Sequence, residues 1–550
     1  MNAAQAISKI LIAEGVRAGA GIGGQSVERL ANVLVTEPAI NLCYARQERV
    51  AIDICDGYAR ISGKPAISFA DHGPGAANAM AGIVNSYGDS IPLLFFAGVN
   101  RRFEVPRRGQ KELPIHDVFK SVTSWTATIL DPSQIEDVLR RAFVALRAPR
   151  PGPVVVGIPY DLCAMETPEF RYRPAPERIR SAGDPQTVES AVRALAAAKR
   201  PYVCVGAGVL FAGATPEMVE LADLLTLPVA STLNGKSAFP ENHPLALGKG
   251  GVTRATYATL QATRFAQEAD LILSVGCSLQ RHAFLDPIPE GVPLIQVDVN
   301  AAELSKEAPA DVAILGDAKL VLRQMIEAAR ALLPASRLQP RAEVIERITR
   351  LREEWLGFSM PLLTSDEVPV NPFRVTWELS QLVDPDQTIV LHDAGSVRGS
   401  TCQHYVATVP HSFVGFGVQS AMGWTLGAAM GAKLAAPDKL VVAFTGDEAF
   451  GETALDLETA TASEIPIMII MVNNRPFQDR APVRKAKIKP VGDYCALARA
   501  LGVEARRVEN PNELRGALSE AINHVRSGKS ALVEVMTKRV ATSLYPYGKG

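Results

Sequence analysis

The 550-residue sequence has no Cys-x-x-Cys pair, and its seven cysteines are scattered at positions 43, 55, 163, 204, 277, 402 and 495. Such an odd, dispersed set excludes a disulfide framework and a zinc ribbon, and fits reduced thiols in a cytoplasmic protein. Net charge is nearly absent, at −1, so nothing calls for nucleic acid or an acidic membrane surface as partner. No apolar run approaches the roughly 20 residues of a membrane-spanning helix. The first residues lack a signal-peptide layout and read as a helix running into a strand. Charged residues make up 21% against 47% hydrophobic ones, which excludes a disordered chain. A chain this long then holds about three globular domains.

What the sequence does hold is a series of strand-length apolar runs separated by helix-like segments. They lie at 66–70, 92–99 and 152–159, then at 201–209, 227–232, 270–276 and 293–299, and last between 440 and 447, between 465 and 474, and at 530–537. Strands buried on both faces with helical crossovers imply an α/β protein of three doubly wound, mainly parallel sheets. The expected domains are 1–170, 185–335 and 365–540. A Pro- and Arg-rich connection at 167–184 and a polar stretch at 364–370 separate them.

The segment 440–474 carries the most chemistry. It reads strand, helix (453–464), strand, so both strands end on one edge of a parallel sheet. One ends at Gly446-Asp447 and the other at Asn473-Asn474. A carboxylate and two carboxamides thus meet where open α/β sheets bind ligands. Hard oxygen donors there suit Mg²⁺ or Ca²⁺ holding a diphosphate, although both dipeptides are also common turns. The pattern resembles the metal motif of thiamine-diphosphate enzymes, a GDG-type start followed by NN some twenty-five residues on.

That resemblance extends in order from about Gly21 to Val535, and points to the acetolactate synthase, pyruvate oxidase and benzoylformate decarboxylase superfamily. It implies a pyrimidine-binding first domain, a central domain and a diphosphate-binding third domain. The stretch 44–65 looks like the one that carries the activating glutamate, with Glu48 in its place. By the resemblance, Glu48 drives the aminopyrimidine to its imino form, which generates the C2 ylid. Ser420 and Met422 lie in a segment like the one beneath the pyrimidine, Met422 being the wedge that bends the cofactor. Otherwise Met422 would simply pack in a core. Asp447, Asn474 and the Pro476 carbonyl are the implied metal ligands. Gly23, Gly24, Asn78, Gly395, Ser396, Val397, Gly446, Glu448 and Ala449 complete the expected cofactor contacts.

Several positions depart from the family pattern. Asp71-His72 replaces the usual Thr-Ser before Gly73-Pro74-Gly75. His72 there either gives and takes a proton, oriented by Asp71, or is a surface histidine in a turn. Gln110-Lys111-Glu112 stands where acetolactate synthases carry Phe-Gln-Glu, which makes Lys111 a catalytic candidate. Glu448 replaces a small residue and must turn away from a diphosphate. In the central domain, Gly206-Ala207-Gly208 is weak evidence for a nucleotide. The run Gly276-Cys277-Ser278-Leu279-Gln280-Arg281 replaces the flavin-binding Arg-Phe-Asp-Asp-Arg, so FAD is not expected. Residues 475–489 carry six Lys and Arg against one acid, either a lid for an anionic substrate or a solvated loop.

Thiamine diphosphate with Mg²⁺ (or Ca²⁺) is therefore the expected cofactor set. The expected reaction is decarboxylation or carboligation of a 2-oxo acid. Cleavage of a 2-hydroxyacyl- or oxalyl-coenzyme A is the alternative, hinted at by Ala449-Phe450-Gly451. A third reading, an inactive cofactor-binding regulatory homologue, conflicts with the intact Glu48, Met422, Asp447 and Asn474. Because the cofactor must touch the first and third domains at once, the resemblance implies a homodimer at minimum, and a homotetramer, with sites shared between chains.

Overall fold

The computed structural model describes residues 1–169, 171–251, 257–280, 288, 290–335, 338, 341–474 and 492–540. Three six-stranded sheets, each parallel throughout, account for the three blocks. The first contains β1 Ala18–Gly21, β2 Asn41–Tyr44, β3 Ala66–Ala70, β4 Leu93–Val99, β5 Trp125–Thr128 and β6 Val154–Pro159. The second contains β7 Pro201–Val205, β8 Val229–Ser231, β9 Ala246–Lys249, β10 Leu271–Val275, β11 Leu294–Asp298 and β12 Val312–Leu315. The third contains β13 Thr388–His392, β14 Phe413–Gly415, β15 Leu440–Gly446, β16 Met468–Asn473, β17 Glu504–Val508 and β18 Ala531–Met536. Most central strands are wholly buried, the condition for a sheet covered by helices on both faces. No helix among the described residues is long and apolar enough to cross a membrane.

The strand orders are β2-β1-β3-β4-β6-β5 in the first sheet and β14-β13-β15-β16-β18-β17 in the third. Counted within each domain, these are the same topology. The helix after β2, Glu48–Ser62, and the helix after β14, Trp424–Ala435, are therefore equivalent, and they pack on each other within the chain. Their contact is backbone against backbone. A Cβ on Gly57 would lie 2.1 Å from the Ala428 carbonyl oxygen, and one on Gly431 would lie 1.9 Å from that of Ile54. Glycine costs about 1 kcal/mol in a helix interior, and here the close approach requires it. Buried polar groups reinforce the contact, with Trp424 Nε1 donating to Asp56 and Arg60 paired with both Asp56 and Asp89. Asp89 also accepts from the Gly417 and Val418 amides and from Asn234, so one carboxylate ties all three domains.

Two differences from the expected elements stand out. The helix placed at 453–464 starts earlier: Asp447–Thr453 is helical, a 3₁₀ turn follows, and Leu457–Ala462 completes it. An acid in the first turn of a helix is favoured by the helix dipole, so Asp447 opens the helix instead of ending a loop. A 22-residue helix, Ala342–Leu363, also precedes the polar stretch and crosses to the third domain.

Trp355 of that helix stacks on His404, with ring centroids 5.6 Å apart and planes 1° from parallel. The His404 Nε2 is buried without a hydrogen-bond partner. Burial, helped by Lys236, pulls the His404 imidazole down to about 4. The folded chain thus holds it neutral, while the unfolded chain takes up a proton near pH 6.5. Stability from this group is complete above about pH 6.5 and declines as pH falls toward 4, by at most about 3 kcal/mol. Melting temperatures should drop through that window, and His404→Phe should flatten the drop. An unchanged slope in the variant would assign the acid sensitivity to other groups.

Candidate active site

The equivalent topology gives the first and third domains each a cluster of polar residues at the ends of their strands. From the third domain, Asp447 follows β15 and Asn474 follows β16, with Gly446 paired to Val472. Asp447 is 3% exposed. Its Oδ2 and the Asn474 Oδ1 are buried oxygens without a hydrogen-bond partner. Burial pushes the Asp447 carboxyl up, Glu448 adds to this, and backbone N–H groups of Asp447, Asn474 and Glu448 oppose it. Two buried, orphaned hard oxygens at the ends of paired strands are costly unless a cation takes them, so the donor set fits a divalent metal. Asn474 Nδ2 donates to Ser396 Oγ at 3.4 Å, which aims its oxygen the other way. Ser396 opens the helix Ser396–His404 behind Gly395, whose φ is +80°. Free N–H groups at that helix start can receive a phosphate oxygen.

Glu448 is exposed, and its charge still acts on the neighbouring Asp447 carboxyl. Val397 and Ala449 are buried, with 0% and 3% exposure, and only their backbones remain for contact. Pro476 and the basic run 475–489 lie outside the described residues, as does Arg281 at the end of the flavin-type run. The Gly206–Gly208 turn lines a cavity of about 1260 Å³ that extends between the domains as far as Ser420.

In the first domain, Glu48 is the first residue of its helix and half-buried. Asn78 Nδ2 donates to its Oε2 at 3.2 Å, and Gly75 leaves room beside Oε1. Asp71 gathers the rest: it accepts from Ser26 N and Oγ at 2.9 and 2.6 Å, meets His72 Nδ1 at 2.9 Å and pairs with Lys111 Nζ at 2.9 Å. Burial pushes the Asp71 carboxyl up, but bonds from Ser26, Lys111 and His72 outweigh it and hold the group well below its usual range. Both catalytic candidates, His72 and Lys111, thus share one anchor. Gly24 packs against it as well, since a Cβ there would fall 2.4 Å from Asp71 Cβ, whereas Gly23 has only Tyr44 nearby.

The segment 417–423 leads into the Trp424 helix. Met422 is 39% exposed, a large apolar side chain left open. Ser420 has φ +52° and Lys111 φ +61°, left-handed conformations that cost free energy for non-glycine residues and cluster at working sites. Arg398 Nη2 donates to Ser420 Oγ at 3.1 Å. Two features have no counterpart among the residues singled out by sequence. Asp393, wholly buried after β13, accepts from the amides of Ala394, Gly423 and Thr425 and so fixes the turn behind Met422. A lone acid at a strand end before Ala-Gly is the available signal. The other is Arg49, two of whose partners lie 373 and 403 residues away.

Three family descriptions match the chain: the thiamine pyrophosphate enzyme N-terminal TPP binding domain over residues 1–120, central domain over 188–325 and C-terminal TPP binding domain over 393–535. A probable acetolactate synthase large subunit from Methanococcus aeolicus is 31% identical, covering 95% of this chain and 90% of its own length. The acetolactate synthase isozyme 3 large subunit of Escherichia coli K12 is 29% identical over 97% and 94%. Among solved structures, a protein from Mycobacterium smegmatis described as a thiamin diphosphate-dependent enzyme superposes with a TM-score of 0.83. That match has 23% identity, over 98% of this chain and all of the other.

Proposed function

Because the chain belongs to the thiamine pyrophosphate enzyme family, we propose that it makes or breaks a carbon–carbon bond beside a carbonyl, with a 2-oxo acid as donor. The observation that carries this reading is the pair of orphaned oxygens on Asp447 and Asn474, together with a Glu48 carboxyl that Asn78 orients. Thiamine diphosphate, when bound, supplies a nucleophilic carbon and an electron sink. Asp447 Oδ2 and Asn474 Oδ1 would hold Mg²⁺, which neutralises diphosphate charge.

The protein's own groups then do four things. Glu48, with Oε2 engaged by Asn78, leaves Oε1 open and would exchange a proton with the pyrimidine there. Ser420 and Met422 would offer a backbone carbonyl and amide to the pyrimidine edge, and the Met422 side chain would support the ring. His72, with Nδ1 donating to ionised Asp71, keeps Nε2 for taking or giving a proton. Lys111, held by the same carboxylate, offers a cation to an anionic substrate. The full-length relatives named acetolactate synthase support a 2-oxo acid as donor. The test is turnover by protein loaded with thiamine diphosphate and Mg²⁺, offered pyruvate, 2-oxobutyrate and phenylglyoxylate beside 2-hydroxyacyl- and oxalyl-coenzyme A. Carbon dioxide release or a coupled product from a 2-oxo acid is expected; turnover of the thioesters alone would overturn the reading.

We further propose a homodimer at minimum, assembled to a homotetramer, with sites shared between the first domain of one subunit and the third domain of another. Within one chain the Glu48 and Trp424 helices already cover each other, so the exposed strand-end surfaces of the two domains would make the contact between subunits.

A further inference from the structure

We propose that Arg49 is a positioning residue, a latch that ties the Glu48 helix to Met422 and to the far end of the helix that Asp447 opens. The proposal rests on the roles given above to Glu48 and Met422.

Arg49 immediately follows Glu48 at the helix start, and its side chain is 12% exposed. Two of its three nitrogens make hydrogen bonds, and the third, Nε, makes only an ion-pair approach. Nη2 donates to the Met422 carbonyl, Nη1 meets Glu452 Oε2 at 3.0 Å, and Nε faces Asp53 Oδ2 at 3.5 Å. The three acceptors belong to three elements: the pyrimidine segment, the helix Asp447–Thr453, and the latch's own helix one turn on. Thr453, next to Glu452, donates to the Gly423 carbonyl at 3.1 Å, so Met422 and Gly423 are held from both sides. Asp53 is buried at 1% exposure, and its Oδ2 has no hydrogen bond, so the Arg49 charge is its nearby compensation.

The guanidinium suits this place because its planar fork reaches several acceptors in fixed directions, which a single ammonium cannot do. Loosening it would let the Glu48 helix start and the Met422 segment each shift from the position it holds in the site it serves. A misplacement of about 1 Å at a reacting centre costs roughly 100-fold in rate. The latch therefore acts on proton transfer more than on whether the cofactor binds.

The experiment compares Arg49→Gln, Arg49→Lys, Glu452→Gln and Glu48→Gln in the full chain, each loaded with thiamine diphosphate and Mg²⁺. Three quantities are read: melting temperature without cofactor, cofactor affinity by fluorescence titration, and C2-hydrogen exchange of the bound cofactor. Arg49→Gln should slow exchange about 10- to 100-fold while affinity changes by only a few-fold. Arg49→Lys should restore part of the rate. Glu452→Gln, at a half-exposed rim position, should fold normally and slow exchange less. If exchange stays at the wild-type rate in the Arg49 and Glu452 variants while Glu48→Gln abolishes it, the latch is wrong and the site reading stands. If Glu48→Gln also exchanges at the wild-type rate, the site reading falls with it. A lowered melting temperature with unaltered exchange would mark Arg49 as structural only and overturn the proposal. Should Arg49→Gln not fold, Glu452→Gln and Arg49→Lys decide by the same measure.

Discussion

Glu48→Gln is expected to cut turnover and C2-hydrogen exchange by about 100- to 10,000-fold, the range over which a positioned acid or base contributes. The amide keeps the shape, and Asn78 can still donate to its oxygen at the Oε2 position. What disappears is the proton that the carboxyl shares with the pyrimidine. The helix start should survive, because its N-cap makes no side-chain hydrogen bond that the change would disturb. Cofactor affinity should therefore remain within a few-fold of wild type. Exchange at the normal rate in this variant would remove Glu48 from the mechanism.

The second large effect is expected on binding. Asp447→Ala removes one of the two buried oxygens that await a cation and leaves Asn474 Oδ1 without its neighbour. Mutating a group behind a metal ligand costs about 10- to 100-fold in affinity, so losing a charged ligand should cost roughly 100-fold or more. Thiamine diphosphate should then bind poorly at any ordinary Mg²⁺ concentration, as it should to wild type in excess chelator. Titration of the cofactor into both samples checks this, and undiminished affinity would give the strand ends another role. The same variant tests assembly. Mixed with Glu48→Gln subunits after reversible dissociation, it should regain up to half the normal activity per dimer if sites are shared. No recovery after proven mixing would mean that each chain closes its own site.

Much of this architecture is legible in the order of residues alone. The three sheets follow from apolar runs buried on both faces, and β15 and β16 end where Gly446-Asp447 and Asn473-Asn474 place them. Asp447, Asn474 and Ser396 converge because parallel strands must end on one edge. Contacts with no local signature are invisible in the sequence. Asp393 gains its meaning from amides thirty residues away, and Arg49 from a carbonyl 373 residues away. The Lys111–Asp71 ion pair also depends on two loops of different strands meeting. The helix at 447 is misplaced by sequence because a strand end followed by an acid reads equally as turn or helix start. The matched topology of the outer domains requires the strand order, which apolar runs alone do not encode.

The glycine contact between the Glu48 and Trp424 helices also governs how the first and third domains can move. Where side chains separate two elements, the gap between them can breathe as rotamers change. Here bare main chain meets main chain at Gly57 and Gly431, so the two helices stand at van der Waals contact with almost no slack. Any relative motion of the two domains must then pivot about that contact, as a door turns on its pin, and cannot widen it.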